Sequence, residues 1–213
     1  MRGGAIAKSS QSKGNDAGSP AALGFRAHSG WAALVALGGP ASAPAILDRR
    51  RIELIEGDVP RQPYHASEAL DLAEAEKIIK RSVETAARRA SEAIREVAAG
   101  LHLRGYRIFA GGLLLASGRT LPALPQVLAS HALIHTAEGE LFREAITTAC
   151  ASYKISLVRV RERELPAVAA GRLAISWEKM QRQLVDLGRP MGPPWGQDQK
   201  HAALVAWLAL IGN

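Results

Sequence analysis

Residues 24–37 read Gly24-Phe25-Arg26-Ala27-His28-Ser29-Gly30-Trp31-Ala32-Ala33-Leu34-Val35-Ala36-Leu37. The stretch is apolar at both ends around a polar, turn-like step, Arg26 to Gly30. An apolar run that pauses on a glycine and resumes predicts a strand over residues 23–37, set in the first hairpin of a buried sheet. A cation in the middle of that strand is unusual, and it decides much of the functional reading.

Outward from this stretch, Gly38-Gly39-Pro40 turns the chain, and Ala45 to Leu54 reads as a second strand. Ile52 and Leu54 alternate there with charged neighbours, as in an antiparallel strand with one wet face. Pro60 and Pro63 mark residues 56–65 as a loop. A long helix is expected from Ser67, its cap, to about Ala99, with Leu72, Ile79, Val83, Ala87, Ala90, Ile94 and Val97 on one face and Gly100 or Gly105 ending it. Strands at 106–115 and 156–160 flank a helix over 125–151. Helices at 176–187 and 199–211 close the chain, joined by a Pro/Gly-rich linker, 188–196. The order is that of an α/β sheet with an antiparallel start and helices on its faces.

Residues 1–20, rich in Gly, Ser, Ala and Lys without periodicity, read as a disordered, slightly basic tail, and 21–213 as one domain. At 213 residues and 47% hydrophobic content, the chain can bury a substantial core. Lys and Arg outnumber Asp and Glu by 27 to 20, a net charge of +7, which draws a chain to polyanions. The charge is spread along the sequence, so arginine-rich composition accounts for it equally well. A lone cysteine, Cys150, excludes an internal disulfide and agrees with a reducing cytoplasm. No stretch approaches the ~18 apolar residues of a membrane span, and no secretory signal is evident. No glycine-rich loop is followed by Lys-Ser/Thr, so a P-loop ATPase is unsupported.

Four segments, in order, carry a family resemblance. They are Gly24-Phe25-Arg26 with Ser29-Gly30-Trp31-Ala32; Ala137-Glu138-Gly139; Arg161 to Gly171; and Asp198-Gln199-Lys200-His201 before an alanine-rich run. Together they resemble the RuvC type of Holliday junction resolvase, within the RNase H-like superfamily, over residues 23–211. The resemblance implies an RNase H-like mixed sheet and, for an active enzyme, a dimer acting on branched DNA with a carboxylate cluster around two divalent metals. Matched by position, Arg26 stands where the first carboxylate belongs. Gly111 and Gly112 stand where a glutamate belongs, Asp198 holds the third place and His201 the fourth. One carboxylate of four remains. The resemblance therefore implies a non-catalytic, RuvC-like protein that binds nucleic acid (DNA or RNA) or a protein partner, with a homodimer as the family's assembly.

The residues themselves leave other readings open. His131, His135 and Glu138, at i, i+4 and i+7 on a helical face, are a candidate metal set, with His28 or His65 as a further ligand. Ala132 after the first histidine excludes zinc-peptidase chemistry. The alternative is that these histidines line a helix–sheet junction with satisfied hydrogen bonds. Asp198 and His201 are candidate catalytic residues, and Asp198 equally suits a helix cap. A buried Arg26 requires a carboxylate partner, and the RNase H-like fold would bring Asp198 to it. Arg159, Arg161 and Arg163 alternate, so on a strand they would share a face and, with Arg26, could contact a phosphate backbone; a solvated strand end explains them as well. An enzyme with a rebuilt site of His28, His131, His135, Glu138, Asp198 and His201, a hydrolase holding a divalent metal, is the second functional reading. A scaffold without ligand is the third.

Overall fold

The computed structural model describes residues 18–116 and 120–212. Five strands form one sheet in the order β3-β2-β1-β4-β5. β1 (Ser19–His28), β2 (Trp31–Gly38) and β3 (Ala45–Glu53) make an antiparallel meander, and β4 (Tyr106–Leu115) and β5 (Ser156–Arg161) add in parallel to β1. The sheet is mixed with helices on both faces, as an RNase H-like α/β fold requires.

The expected single strand over 23–37 is two strands. His28 pairs with Trp31 across Ser29-Gly30, and Gly30 takes φ +80°, which a side chain would oppose. The polar step thus supplies the end of β1 and a tight turn. The expected tail boundary also moves: Ser19 and Pro20 already pair with Tyr106 and Arg107 in the sheet. The remainder of that expected tail, residues 1–17, lies outside the described residues.

Period-two alternation on β1 and β2 sorts their side chains between two cores. Leu23, Phe25 and Leu34 face α2 (Leu72–Leu103) and α4 (His131–Ser152), meeting Ile94, Val97, Phe142 and Ile146. Ala33, Val35 and Leu37 face α7 (Gln197–Leu210), meeting Leu204, Val205 and Leu208. Both faces of β1 and β2 are covered, which is why that stretch reads as nearly continuous apolar sequence.

Glycine brings α7 unusually close. Gly24 of β1 lies opposite Gly112 of β4. A Cβ on Gly24 would overlap the carbonyl oxygen of Ala202, and one on Gly112 that of Val205. The pair is a flat floor on which the α7 backbone rests.

Three further elements differ from expectation. The 56–65 loop ends in a short helix, α1 (Pro63–Ser67), with Pro63 in its first turn, where a missing N–H costs nothing. The helix expected over 125–151 is two, α3 (Leu124–Leu128) and α4, broken at Ala129-Ser130. Past β5, a 3-10 turn over Glu162–Glu164 leads into α5 (Leu165–Leu173), and α6 (Trp177–Gly188) follows on the α7 side. No described helix is long and apolar enough to cross a membrane.

Candidate functional site

Alternation along β1 puts Arg26 and His28 on the same face as Gly24, under α7. The first turns of α7 place Asp198 and His201, three residues apart, over them. The turn after β5 returns Glu162 to the same spot. Five chemically active side chains from three distant parts of the chain therefore meet at the C-terminal ends of β1 and β5, the end of a parallel sheet where ligands usually bind.

Arg26 is the hub. Its guanidinium donates to Glu162 Oε1 at 2.8 Å and to His201 Nδ1 at 2.7 Å, and its Nε lies 3.3 Å from Asp198 Oδ1. The expected Arg26–Asp198 ion pair is present. His28 Nε2 reaches the same Asp198 oxygen at 2.9 Å. Because arginine can only donate, His201 Nδ1 accepts, which assigns a neutral imidazole with its proton on Nε2. Burial, with the Arg26 charge beside it, holds His201 below the usual histidine pKa, against the pull of Glu162 and Asp198.

This donor set does not fit two divalent cations. A fixed cation between the two carboxylates offsets one of their charges, fills the place between them and repels another positive charge. The neighbouring strand gives no help: β4 pairs Phe25 with Leu113, so the residue beside Arg26 on the α7 face is Leu114. The expectation that Gly111 or Gly112 occupies that place is corrected: Gly112 pairs with Gly24, two residues short of Arg26 on the α7 face, and Gly111 pairs with Leu23 and faces the opposite core.

Arg26, His28, Leu114 and Glu162 line a cleft of about 140 Å³ with Arg143 of α4. Arg143 is buried, pairs with Glu140 at 3.0 Å, and its Nε has no partner among the described residues. Sequence reasoning missed Arg143 and Glu162, because each lies in a run of alternating charge that looks like an ordinary solvated face. It also missed the stacking of His28 on the Trp31 ring, centroids 4.3 Å apart, with the Arg51 guanidinium 3.8 Å from that ring.

The other arginines do not form the expected stripe. Arg159 and Arg161 lie on edge strand β5, but the strand ends at Arg161 and Arg163 belongs to the following turn. Glu164 pairs with both Arg161, at 3.2 Å, and Arg163, at 3.6 Å. Arg159 is exposed and has no ion-pair partner among the described residues.

The six residues of the rebuilt-site reading fall into two groups. His28, Asp198 and His201 gather on Arg26. His131, His135 and Glu138 gather instead around His65, which α1 delivers. Glu138 is buried, and burial raises its pKa, against the hydrogen bonds it accepts from His65 and Tyr64.

No protein-family profile and no curated protein matches the chain in sequence. Solved structures do. The Thermus thermophilus RuvC structure aligns over 88% of this chain and 91% of its own, at 11% identity and a TM-score of 0.50. T. thermophilus RuvC in complex with Holliday junction substrate aligns over 90% of this chain and 96% of its own, at 10% identity and a TM-score of 0.51. The fold is RuvC-like. At such identity the likeness establishes architecture alone, and the chemistry of this RuvC-like chain rests on its own side chains.

Proposed function

We propose that this chain is a RuvC-like nucleic-acid-binding protein that does not cleave by the two-metal route. The observation that carries the reading is Arg26, held by Glu162, Asp198 and His201 where a nuclease of this fold would gather metals. Two guanidinium groups, Arg26 and Arg143, line the adjoining cleft. A guanidinium fork suits phosphate oxygens, so a backbone phosphate would meet arginine directly instead of a metal ion. The net charge of +7 supports long-range attraction to a polyanion, and a solved relative of the same fold is bound to a Holliday junction.

The test is binding of labelled four-way-junction and linear DNA across a salt series, with Mg²⁺ or Mn²⁺ present, while cleavage is followed. The expected result is binding without cleavage, with log affinity falling by about 0.9 per phosphate neutralised for each tenfold rise in salt. Arg143→Gln is expected to weaken it. Cleavage that disappears in Asp198→Asn would overturn the non-catalytic reading. Failure to bind any of these DNAs, or structured RNA, at low salt would overturn the nucleic-acid reading.

A further inference from the structure

The chain has six histidines, and three of them, His65, His131 and His135, converge away from Arg26. Their ligating nitrogens all lie within 4.8 Å of one another. On α4 the i, i+4 spacing sets His131 and His135 one turn apart, with Nε2 atoms 3.0 Å from each other. The His65 ring stands edge-on to both, its centroid 5.4 Å from that of His131 and 4.7 Å from that of His135.

Glu138 fixes the third ring. One carboxylate oxygen, Oε1, accepts from the backbone N–H of Tyr64 at 2.8 Å, from that of His65 at 3.1 Å, and from His65 Nδ1 at 3.2 Å. A Nδ1–H donated to the carboxylate leaves the His65 Nε2 lone pair free. Carboxylates orient metal-binding imidazoles in this way, fixing tautomer and ring direction. The other Glu138 oxygen, Oε2, is buried without a partner among the described residues, a cost that a nearby positive charge would relieve.

We propose that His65, His131 and His135 form a binding site for a borderline divalent transition metal, with Zn²⁺ the best match, and that Glu138 positions His65 rather than ligating. Three neutral imidazoles suit zinc, cobalt, nickel or copper and not Mg²⁺ or Ca²⁺. Tetrahedral zinc at its usual Zn–N distance wants ligand nitrogens about 3.3 Å apart, so closing the site asks only for small ring movements. His131 and His135 are exposed and can adjust cheaply. Three protein ligands leave a fourth position for water or another donor. The bound ion adds a second tie between α1 and the first turns of α4, beside the hydrogen bonds that Glu138 accepts. This site is independent of the nucleic-acid reading, since it shares no residue with the Arg26 cluster.

The test uses the full chain without an affinity tag, stripped with a chelator and titrated with Co²⁺, then with Zn²⁺. One equivalent per chain, with the visible absorption of tetrahedral Co²⁺ that Zn²⁺ abolishes, is expected. At a hundredfold excess over Kd, Zn²⁺ should raise Tm by roughly 5–10 °C. His131→Gln and His135→Gln, both at exposed positions, should each lose the signal while keeping the metal-free Tm. His102→Gln, an exposed histidine outside both clusters, should change nothing. Glu138→Gln should weaken binding by about 10–100-fold. Absence of a saturable single site, or equal affinity in His131→Gln and His135→Gln, overturns the proposal and leaves the pair as two imidazoles sharing a hydrogen bond.

Discussion

Asp198 Oδ1 lies 3.3 Å from Arg26 Nε and 2.9 Å from His28 Nε2, so one carboxylate oxygen binds the start of α7 to two residues of β1. Glu162 holds the far side of the same guanidinium. Arg26 is more enclosed than either carboxylate, its side chain 16% exposed against 31% for Asp198 and 45% for Glu162. The cluster is thus an ion-paired lock between β1, α7 and the turn after β5.

Removing the hub should cost more than removing either rim carboxylate. In Arg26→Met, Asp198 and Glu162 lose their shared partner, with an expected destabilisation of about 1–3 kcal/mol; fully buried pairs cost more and exposed pairs less. Glu162→Gln, nearer the surface, should cost well under half of that. Urea denaturation of the three proteins decides it. Equal, negligible losses would make the cluster a solvent-screened surface feature.

His201 should give the fold an acid sensitivity. Its folded pKa lies below the usual value of ~6.5, so between those two pKa values the unfolded chain binds more protons than the native one. Stability then rises with pH across that window. The contribution is complete above pH ~6.5 and is lost as pH falls toward the folded pKa, because a charged His201 would face Arg26. Glu162 and Asp198 soften the effect. Melting curves from about pH 7.5 down to about pH 5 should fall more steeply for wild type than for His201→Gln. Parallel curves would remove His201 as the cause.

Much of the fold was legible because burial writes itself into periodicity. The apolar run either side of Ser29-Gly30, the Ile52–Leu54 alternation and the alanine-rich α7 all follow from faces that must be covered. The long α2 was legible as a helix, but its face was misjudged at the start. Ala75, Ser82 and Ala86 are buried while Leu72 and Val83 are exposed, and the cap is Asp71, bonded to the Glu74 N–H, not Ser67. Small buried residues carry little hydropathy, so a contact between helices escapes a hydropathy reading.

The site was half legible for a similar reason. Arg26 and Asp198 stood out because a cation inside an apolar strand needs an acid. Glu162 and Arg143 lie 136 and 117 positions from Arg26 in a chain of local charge pairs, and only the three-dimensional return of the chain singles them out. His65 could be named only beside His28 as a further ligand, because it lies in a segment whose prolines signal a loop, although Pro63 opens α1.

Cys150 should be chemically silent in the native protein. Burial pushes its thiol up to about 12, although Arg159 pulls the other way. The thiolate is the reactive species, so alkylation at mildly alkaline pH should proceed only through unfolding and should match the unfolding rate in urea. Rapid stoichiometric labelling without denaturant would show that the α4–β5 packing opens locally.

The Gly24–Gly112 floor makes the sharpest claim about packing. A methyl group at either position meets the α7 backbone, not a side chain that can swing away. Relief therefore requires lifting α7, which carries Asp198 and His201 as well as Leu204, Val205 and Leu208 of the second core. Gly24→Ala and Gly112→Ala should each destabilise by about 1–3 kcal/mol or more. Because both push on one helix and face each other across the β1–β4 pair, their effects should fall short of additivity. Gly100→Ala is the matched control. It lies inside α2 with open space around its Cα, so alanine there should stabilise by about 0.5–1 kcal/mol. Denaturation of the three single variants and the Gly24/Gly112 double variant measures all four terms. If Gly24→Ala behaved like Gly100→Ala, α7 would not rest on the sheet at this distance, and the Arg26–Asp198 contact that depends on that approach would fall with it.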